Sequence, residues 1–482
     1  PDMTADMLSH DLSLLTPELM LAGGAMALLM LGVFLKGEGT PRLVHLLTIG
    51  LLVAAGFAAL FLTGDDGQAF GGAFVLDSLA KYSKVAITLA AAVALLLALP
   101  YLESEKLSKI EFPVLVALAV TGMVMMVSAN DLISMYMAVE LQSLALYVLA
   151  AFNRDSLRAS EAGLKYFVLG ALSSGLLLYG ASLVYGFSGS TGFNEIAIAV
   201  AGEPSIGLIF GLVFVICGLA FKVSAAPFHM WTPDVYEGAP TPVTALFASA
   251  PKMAAIVLLA RVLLEPFGGM IDQWRDVIWI IAVLSMGVGA FGALTQQNFK
   301  RLMAYSSIGN IGYALVAIAA ASQTGIWALL IFMSLYMISV VGTFGAMLSM
   351  RTREGMVEQI SDLAGLAQTN PGLGWSLTAL MFSIGGLPFF VGFFGKFFVV
   401  FSAVQSDLLI LAVLAVLFSV VSAAYYLRIV KVMWFDAPEV NFVQPALSIY
   451  WVTRVAGWST LLLLPALGWL IYQAFSVGLD VL

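Results

Sequence analysis

The sequence is short of charge and almost free of cysteine. Only 10% of its 482 residues are Asp, Glu, Lys or Arg, and Cys217 is the single cysteine. With three histidines and no CxxC pair, the chain lacks ligands for haem, iron–sulfur or zinc sites. The low charge also excludes an ordinary globular domain, in which about 25% of residues are charged. We expect Cys217, which lies inside an apolar run, to be a packing residue.

Apolar residues are abundant instead, at 61% of the chain. A run of about 20 such residues crosses a bilayer as a helix. Fourteen apolar segments occur, at roughly 14–34, 42–62, 75–99, 111–128, 132–151, 160–187, 205–226, 240–264, 276–294, 301–320, 324–349, 372–403, 405–434 and 450–475. The connections are short, so the sequence predicts an all-α polytopic membrane protein without a separate soluble domain.

Basic residues predict the orientation of these segments, because cytoplasmic loops are enriched in Lys and Arg. Loops after odd-numbered segments, or their margins, hold Lys36, Arg42, Lys106, Lys109, Arg154, Arg158, Lys165, Lys300, Arg301, Arg351, Arg353, Arg428, Lys431 and Arg454. The other loops hold only Lys81, Lys84, Arg261 and Arg275. Both termini are therefore expected on the periplasmic side. Residues 1–13 are acidic, so we expect no cleavable signal peptide.

Helix breakers recur along the chain and indicate an internal repeat. Pro227 interrupts the seventh segment, Pro251 the eighth, and Gly385-Gly386-Leu387-Pro388 the twelfth. Segments 4–8 and 9–13 contain five spans each, and an odd number inverts the second copy, a pattern typical of transporters. The predicted parts are three N-terminal helices (1–110), a first repeat (111–265), a second repeat (266–436) and a C-terminal helix 14 (437–482).

Four ionisable residues lie in the middle of apolar runs: Glu140, Lys222, Lys252 and Lys396. If all four stayed charged and unpaired in hydrocarbon, they would cost on the order of 10 kcal/mol. They must therefore be paired, hydrated or sometimes neutral. A carboxylate about 4 Å from an ammonium at an effective dielectric of 20 stabilises the charged form by roughly 4 kcal/mol. That is enough for a movement of Glu140 to change the protonation state of Lys222. The alternative is a static buried ion pair that fixes the register of two helices.

Weaker candidates surround this group. His229 can titrate near physiological pH, but it can equally cap a helix or sit in a loop. Lys165, near the start of the sixth segment, can bridge the cytoplasm to the interior or extend its ammonium to the membrane interface. Asp234 and Glu237 are expected in a solvated loop.

Two stretches of the sequence resemble the antiporter-like subunits of respiratory complex I, which are related to Mrp-type cation/proton antiporters. They are residues 221–243, FKVSAAPFHMWTPDVYEGAPTPV, and residues 300–309, KRLMAYSSIG. Residues 161–171 and Lys396 refine the resemblance within the family. The L type is longer and carries a lateral helix, and the M type is similar but has a glutamate at the position of Lys396.

The resemblance implies about fourteen transmembrane helices with two inverted five-helix repeats (helices 4–8 and 9–13) and broken helices 7, 8 and 12. It also implies roles. Glu140 and Lys222 would form the charge pair of the first half-channel, Lys252 the central connector, and Lys396 the terminal lysine of the second. Family members usually read Pro-Pro where this chain reads Pro388-Phe389, so the shape of that break is open.

The implied activity is proton translocation by a subunit of NADH:quinone oxidoreductase in a bacterial inner membrane. The chain would hold no cofactor, while FMN, iron–sulfur clusters and quinone would belong to other subunits. Its expected partners are the M-type subunit, the small K and J types, and lipid, but no nucleic acid. Two alternatives remain: a Mrp-type sodium/proton antiporter subunit, and a scaffold whose buried charges only hold neighbouring subunits.

Overall fold

A computed structural model describes residues 5–35, 37–63, 66–202 and 205–463, with positions 465, 468 and 472. The described residues are overwhelmingly helical, which confirms the predicted fold class. Lys36 and most of the last predicted segment beyond residue 463 lie outside them, as do parts of the predicted ranges 1–110 and 437–482.

The N-terminal part combines helices with a small hairpin. Its elements are α1 (Ala5–Leu14), α2 (Thr16–Phe34), α3 (Thr40–Phe61), β1 (Gly67–Ala69), β2 (Phe74–Leu76) and α4 (Ser78–Ser104). The two strands pair antiparallel, with Gln68 opposite Val75. Asp77 then caps α4 by accepting a 2.7 Å hydrogen bond from the backbone N–H of Ala80.

The middle of the chain contains the predicted segments four to eight. Its helices are α5 (Glu111–Met126), α6 (Leu132–Ala150), α7 (Leu157–Ser188), α8 (Phe193–Ala199), α9 (Ile206–Val223), α10 (Thr232–Gly238), α11 (Thr241–Phe247) and α12 (Ala250–Leu264). The short helices α8 and α10 lie in connections that the sequence left as loops.

The last part contains segments nine to fourteen. Its helices are α13 (Ile271–Leu294), α14 (Phe299–Ala319), α15 (Gln323–Leu348), α16 (Leu366–Thr369), α17 (Pro371–Gly385), α18 (Val391–Gln405), α19 (Leu409–Phe435) and α20 (Leu447–Leu462). Within the described residues, 11 spans are long and apolar enough to cross a membrane, and α5 and α18 are shorter apolar helices. The number of fourteen stays a prediction.

Alternate loops gather at opposite ends of the bundle, as helices that cross back and forth require. At one end, which we call the basic end, Arg351 pairs with Glu105 at 2.6 Å and Arg158 approaches Glu358 at 3.3 Å. These contacts join loops that follow α4, α6 and α15. At the other end, Arg261 lies 2.9 Å from Asp77. The predicted odd and even loops are thus separated in space.

The break of the seventh segment precedes Pro227. Helix α9 ends at Val223, and Ser224 takes a left-handed conformation with φ 65°. The N–H of Ala225 donates to the carbonyl of Ala220 at 2.9 Å, which is the bond of a Schellman motif. The sequence predicted the break at Pro227, but the hydrogen-bonded cap already ends the helix three residues earlier.

The breaks of the other two segments lie where the sequence predicted them. Ser249 separates α11 from α12, and Pro251 occupies the first turn of α12, where its missing N–H costs nothing. Helix α17 ends at Gly385, and Gly386, which follows it, has a left-handed φ of 78°. Leu387 donates to the carbonyl of Phe382 at 3.0 Å, which repeats the cap of α9. Phe389 also has a positive φ and is largely exposed.

Burial increases towards the middle of the molecule. In the most apolar 18-residue stretch of each span, 100% of the residues are buried in the broken helix α11–α12 and 94% in α14. The corresponding shares are 28% in α2 and 33% in α19. The central helices therefore contact protein on every side, so any charge they carry is held by protein groups.

Candidate functional site

Lys222 is held by hydroxyl groups near the end of α9. Its Nζ donates to Ser143 Oγ at 2.9 Å, Tyr147 Oη at 3.3 Å and Ser174 Oγ at 3.4 Å. Ser174 Oγ in turn donates to Glu140 Oε1. Among the described residues, Glu140 and Lys222 form no direct ion pair within 4.0 Å. The predicted charge pair is therefore joined through Ser174.

Lys252 reaches from the first turn of α12 to the broken end of α9. Its Nζ donates to the carbonyl of Val223 at 3.0 Å and contacts Ser224 Oγ. The same ammonium lies 5.3 Å from the centre of the Trp231 ring, within cation–π range. Only 1% of Lys252 is exposed. The break in α9 thus supplies the acceptors that this buried lysine needs.

Lys396 has the same relation to the other broken helix. Its Nζ donates to the carbonyl of Gly385, the last residue of α17, at 3.1 Å, and to Ser419 Oγ at 3.5 Å. The ring centre of Tyr313 lies 4.8 Å from the ammonium. Free carbonyls at a helix C-terminus carry partial negative charge, so both lysines sit where a cation is favoured.

Aromatic rings separate Lys222 from Lys252. Tyr147, which contacts Lys222, packs edge-on against Tyr166 with ring centres 4.8 Å apart. Tyr166 stacks on Trp231 at 4.4 Å, and the other neighbour of Trp231 is Lys252. The two lysines therefore lie at the ends of one column of rings.

Lys165 lies at the basic end, away from the row of deep lysines. Its Nζ is 2.7 Å from Glu161 and 2.8 Å from Asp234, and 40% of its side chain is exposed. Asp234 also pairs with Arg301 at 2.7 Å. Burial raises the pKa of Asp234, but the hydrogen bonds from Lys165 and Arg301 outweigh it, so the pKa lies below its usual range. Asp234 and Glu237 thus belong to an ionic network on α10.

His229 is half-buried in the segment between α9 and α10. Burial lowers its pKa, opposed by the backbone carbonyl of Pro227. It is close in sequence to Trp231 but does not touch Lys222 or Lys252 in any described hydrogen bond. The structure thus places the six predicted site residues in three groups: Glu140 with Lys222, the two helix-end lysines, and the peripheral pair Lys165 and His229.

Three buried ionic groups were missed by the sequence reasoning. Lys84 pairs with Glu18 at 2.7 Å between α4 and α2, Arg261 pairs with Asp77 and Glu265, and Lys300 pairs with Glu358 at 3.1 Å. Lys84 and Arg261 were assigned to the margin of the opposite loops. A lysine inside the apolar run 75–99 was the available signal for the first pair.

Comparisons with known proteins point to one family. A family model described as NADH:quinone oxidoreductase/Mrp antiporter, transmembrane, matches residues 129–422. The chain is 78% identical over 480 residues to NADH-quinone oxidoreductase subunit N of Maricaulis maris, covering 100% of both. It is 53% identical over 457 residues to subunit N 1 of Rhizobium meliloti, covering 94% of this chain and 95% of that relative.

Solved structures show the same fold. A chain of respiratory complex I from Thermus thermophilus matches with TM-score 0.81 and 32% identity, over 95% of this chain and 98% of that one. A chain of the Mrp complex from Dietzia sp. matches with TM-score 0.85, over 96% and 97% of the two chains. At 21% identity, the second match concerns the fold alone.

Proposed function

The chain belongs to the NADH:quinone oxidoreductase/Mrp antiporter transmembrane family, and from that premise we propose how it works. It is the antiporter-like membrane subunit of an NADH:quinone oxidoreductase, and it moves protons while the redox chemistry takes place in other subunits. The subtype that residues 161–171 and Lys396 indicate is the N type, the name of the relatives above. The likeness to Mrp complexes is one of fold, so the sodium/proton alternative is the weaker one.

The observation that carries the proposal is the row formed by Lys222, Lys252 and Lys396. All three are at least nine-tenths buried, and Lys252 lies on the broken helix α11–α12, which is buried along its most apolar part. Their ammonium groups contact hydroxyls, carbonyls and ring faces. Burying three lysines costs several kcal/mol that a purely structural helix would avoid. Such residues are a functional site by default, and proton relays are their usual role.

The proposed route follows this row. Protons enter from the cytoplasm near Lys222, where Glu140 acts through Ser174. They then pass Lys252 and leave beyond Lys396. The first repeat (111–265) would hold the uptake half and the second (266–436) the release half. The matching Schellman caps of α9 and α17 support two related repeats.

The orientation and the partners belong to the same proposal. We place the basic end in the cytoplasm and both termini in the periplasm of a bacterial inner membrane, because 14 of the 21 Lys and Arg residues belong to the loops after odd-numbered segments or to their margins. The neighbours would be the M-type subunit and the small K and J subunits, surrounded by lipid. FMN, iron–sulfur clusters and quinone would be held elsewhere in the complex.

Lys222→Met in the assembled complex tests the proposal. We expect NADH oxidation to continue with fewer protons moved per NADH, measured with a pH-sensitive dye in inverted membrane vesicles. Lys431→Met is the matched control, because Lys431 is exposed at the basic end and pairs with Asp436 at 2.6 Å. An unchanged proton yield in Lys222→Met would remove this lysine from the mechanism. Lost assembly in both Lys222→Met and Glu140→Gln would favour the scaffold alternative.

A further inference from the structure

Helix α14 is almost fully buried, yet one of its faces is polar. Lys300, Ser307, Asn310 and Tyr313 follow at steps of seven, three and three residues, which places them on one side of a helix. Ser306 lies beside them and its hydroxyl is 2.5 Å from Tyr426 Oη. The opposite face carries glycines that pack on α13. A polar stripe thus runs inward along α14 from the basic end.

The stripe begins at an ionic group. Lys300 Nζ lies 3.1 Å from Glu358 and donates to the carbonyl of Ala239 at 2.8 Å. Lys300, Glu358 and Thr241 line a cavity of about 10 Å³. That is the smallest space that holds one water molecule. Glu358 is only 21% exposed, but it lies in the loop after α15, at the surface of the basic end.

Three buried hydroxyls surround the middle of the stripe. Ser307 interacts with Tyr236 of α10 and with Tyr336 of α15. None of the three hydroxyl oxygens makes a hydrogen bond of good geometry to any described residue. A buried polar group without a partner costs about 1–3 kcal/mol. These three hydroxyls approach one another without a well-formed hydrogen bond, so they retain bonding capacity for a transient partner such as a water molecule.

The stripe ends at Lys396. Asn310, Tyr336, Ser339 and Ser383 line a second cavity of about 10 Å³ together with this lysine. The hydroxyls of Ser339 and Ser383 are 3.1 Å apart. The ring of Tyr313, one turn beyond Asn310, faces the ammonium. Polar groups therefore continue from Ser307 to Lys396, while Met303 and Ala304 occupy the turn between Lys300 and Ser307.

We propose that the polar face of α14 is a second proton uptake route, which leads from the basic end to Lys396 without passing Lys222 or Lys252. From Lys300 to Tyr313 it spans about 20 Å, at 1.5 Å per residue. A hydronium ion at the basic end supplies the proton. Each hydroxyl or water accepts one proton on a lone pair and releases its own to the next. The neutral amine of Lys396 is the final acceptor and becomes an ammonium. The proposal rests on the role of Lys396 in the proposed function.

The aromatic column gives this second route a reason to exist. Tyr147, Tyr166 and Trp231 pack in a column whose end rings contact Lys222 and Lys252. A ring face carries no transferable proton, so a path along this column requires the rings to move. The face of α14 reaches Lys396 on the other side of that obstacle.

Cysteine accessibility tests the route directly. In a Cys217→Ser background, Ser307→Cys is compared with Ile308→Cys in the assembled complex, using inverted vesicles that expose the basic end. The probe is the silver ion, a thiol-reactive cation about the size of a water molecule, applied in chloride-free buffer during NADH oxidation. Ile308 is the matched control, because it is equally buried and adjacent but points away from the stripe.

We expect Ser307→Cys to be modified several-fold faster than Ile308→Cys in inverted vesicles. Equal rates at the two positions would overturn the proposal. So would modification of Ser307→Cys only in vesicles of the opposite orientation.

Proton yield separates this route from the proposed function. We expect Tyr336→Phe and Asn310→Leu to lower the protons moved per NADH, whereas Thr121→Val, which removes a buried hydroxyl bonded within its own helix, leaves the yield unchanged. If the complex with Asn310→Leu fails to assemble, Asn310→Ser replaces it as the test variant, because it keeps a polar side chain at this position. If Lys396→Met lowers the yield but none of the stripe variants does, the route is wrong and the proposed function stands. If Lys396→Met has no effect, the proposed function fails first.

Discussion

The three deep lysines are held by neutral groups rather than by carboxylates. Lys222 contacts Ser143 and Tyr147, Lys252 contacts a carbonyl and a serine, and Lys396 contacts a carbonyl. A hydroxyl accepts from an ammonium and can rotate to donate to a neutral amine. A proton can therefore leave such a lysine without leaving a buried carboxylate unpaired. In a direct ion pair, loss of the proton would leave the carboxylate buried without its counter-charge.

Ser174 is the residue that connects Glu140 to Lys222, and its removal should weaken their coupling. A hydrogen bond to a charged group contributes about 1.5–3 kcal/mol, so Ser174→Ala should change the population of the coupled state by roughly 10- to 100-fold. We expect a lower proton yield per NADH with assembly retained. The control is Ser173→Ala, because Ser173 is equally buried but donates to the carbonyl of Gly218 at 3.1 Å. An effect of equal size in both variants would contradict the bridging role.

Single residues were predictable where the charge itself was the signal. Glu140 and the lysines at 222, 252 and 396 stand out because each is an isolated charge within an apolar run. The Glu18–Lys84 pair was not found, since its members lie on helices far apart in the sequence and Lys84 was counted with the basic residues of the loops. The hydroxyls of Ser174 and Tyr147 were not found either, because serine and tyrosine are common in transmembrane helices.

Two helices of this fold end in the same way and for the same purpose. The caps of α9 and α17 each place a left-handed residue, Ser224 or Gly386, beside a lysine from another helix. The left-handed turn leaves the last carbonyls of each helix free to accept from that lysine. Ser224 tolerates a conformation that costs a non-glycine residue about 1–2 kcal/mol, a strain that is typical of functional sites.

Gly386→Ala should damage the second of these caps. The new Cβ would sit 2.8 Å from Lys396 Cδ at a φ of 78°. The left-handed conformation alone should cost about 1–2 kcal/mol of stability, and the displaced lysine should lower the proton yield. Gly23→Ala is the control, because its Cβ meets no atom within 4 Å inside α2. A thermal unfolding midpoint of Gly386→Ala equal to that of the parent would be incompatible with this account.

The Glu358–Lys300 pair should fix the start of α14 to the loop after α15. Burial raises the pKa of Glu358, but Lys300 and Arg158 outweigh it, so the pKa lies below its usual range. This carboxylate therefore adds stability above about pH 4.3, its unfolded value, and the contribution is lost as pH falls through the folded pKa.

Glu358→Gln should leave Lys300 buried without its counter-charge, at a cost of about 3–5 kcal/mol near neutral pH. The difference from the parent should shrink in acid, as seen in thermal unfolding in detergent between neutral pH and pH values below the folded pKa. Glu354→Gln, at an exposed glutamate in the same loop, should change little. A pH-independent difference would argue against the ion pair.

Element boundaries were predictable within a few residues, because apolar runs and helix breakers mark them. The break at Gly386 was found from Gly-Gly-Leu-Pro, whereas the end of α9 was placed at Pro227 rather than at Val223. The sequence around Ser224 contains no signal that the helix ends there. The role of this serine becomes visible only in the fold, where it contacts Lys252. The helices α8, α10 and α16 are only four to seven residues long, which is too short for a helical periodicity to be recognised.

The charges of the described residues fall into three arrangements. Ionic networks lie at the ends of the bundle, the Glu18–Lys84 pair is buried between α2 and α4, and Lys222, Lys252 and Lys396 are buried among neutral groups. The positive residues predicted the alternation of loops between two ends, and the structure has that alternation. The sequence could not show that rings separate Lys222 from Lys252, since the rings of Tyr147, Tyr166 and Trp231 come from three separate segments of the chain.

The central claim is that the lysine row conducts protons, and Lys252 is its most buried member. The direct measurement is the number of protons moved per NADH oxidised by the assembled complex carrying Lys252→Met in sealed vesicles, beside Lys431→Met. The account predicts continued NADH oxidation with a reduced yield in Lys252→Met and an unchanged yield in the control. A full yield from Lys252→Met would contradict it.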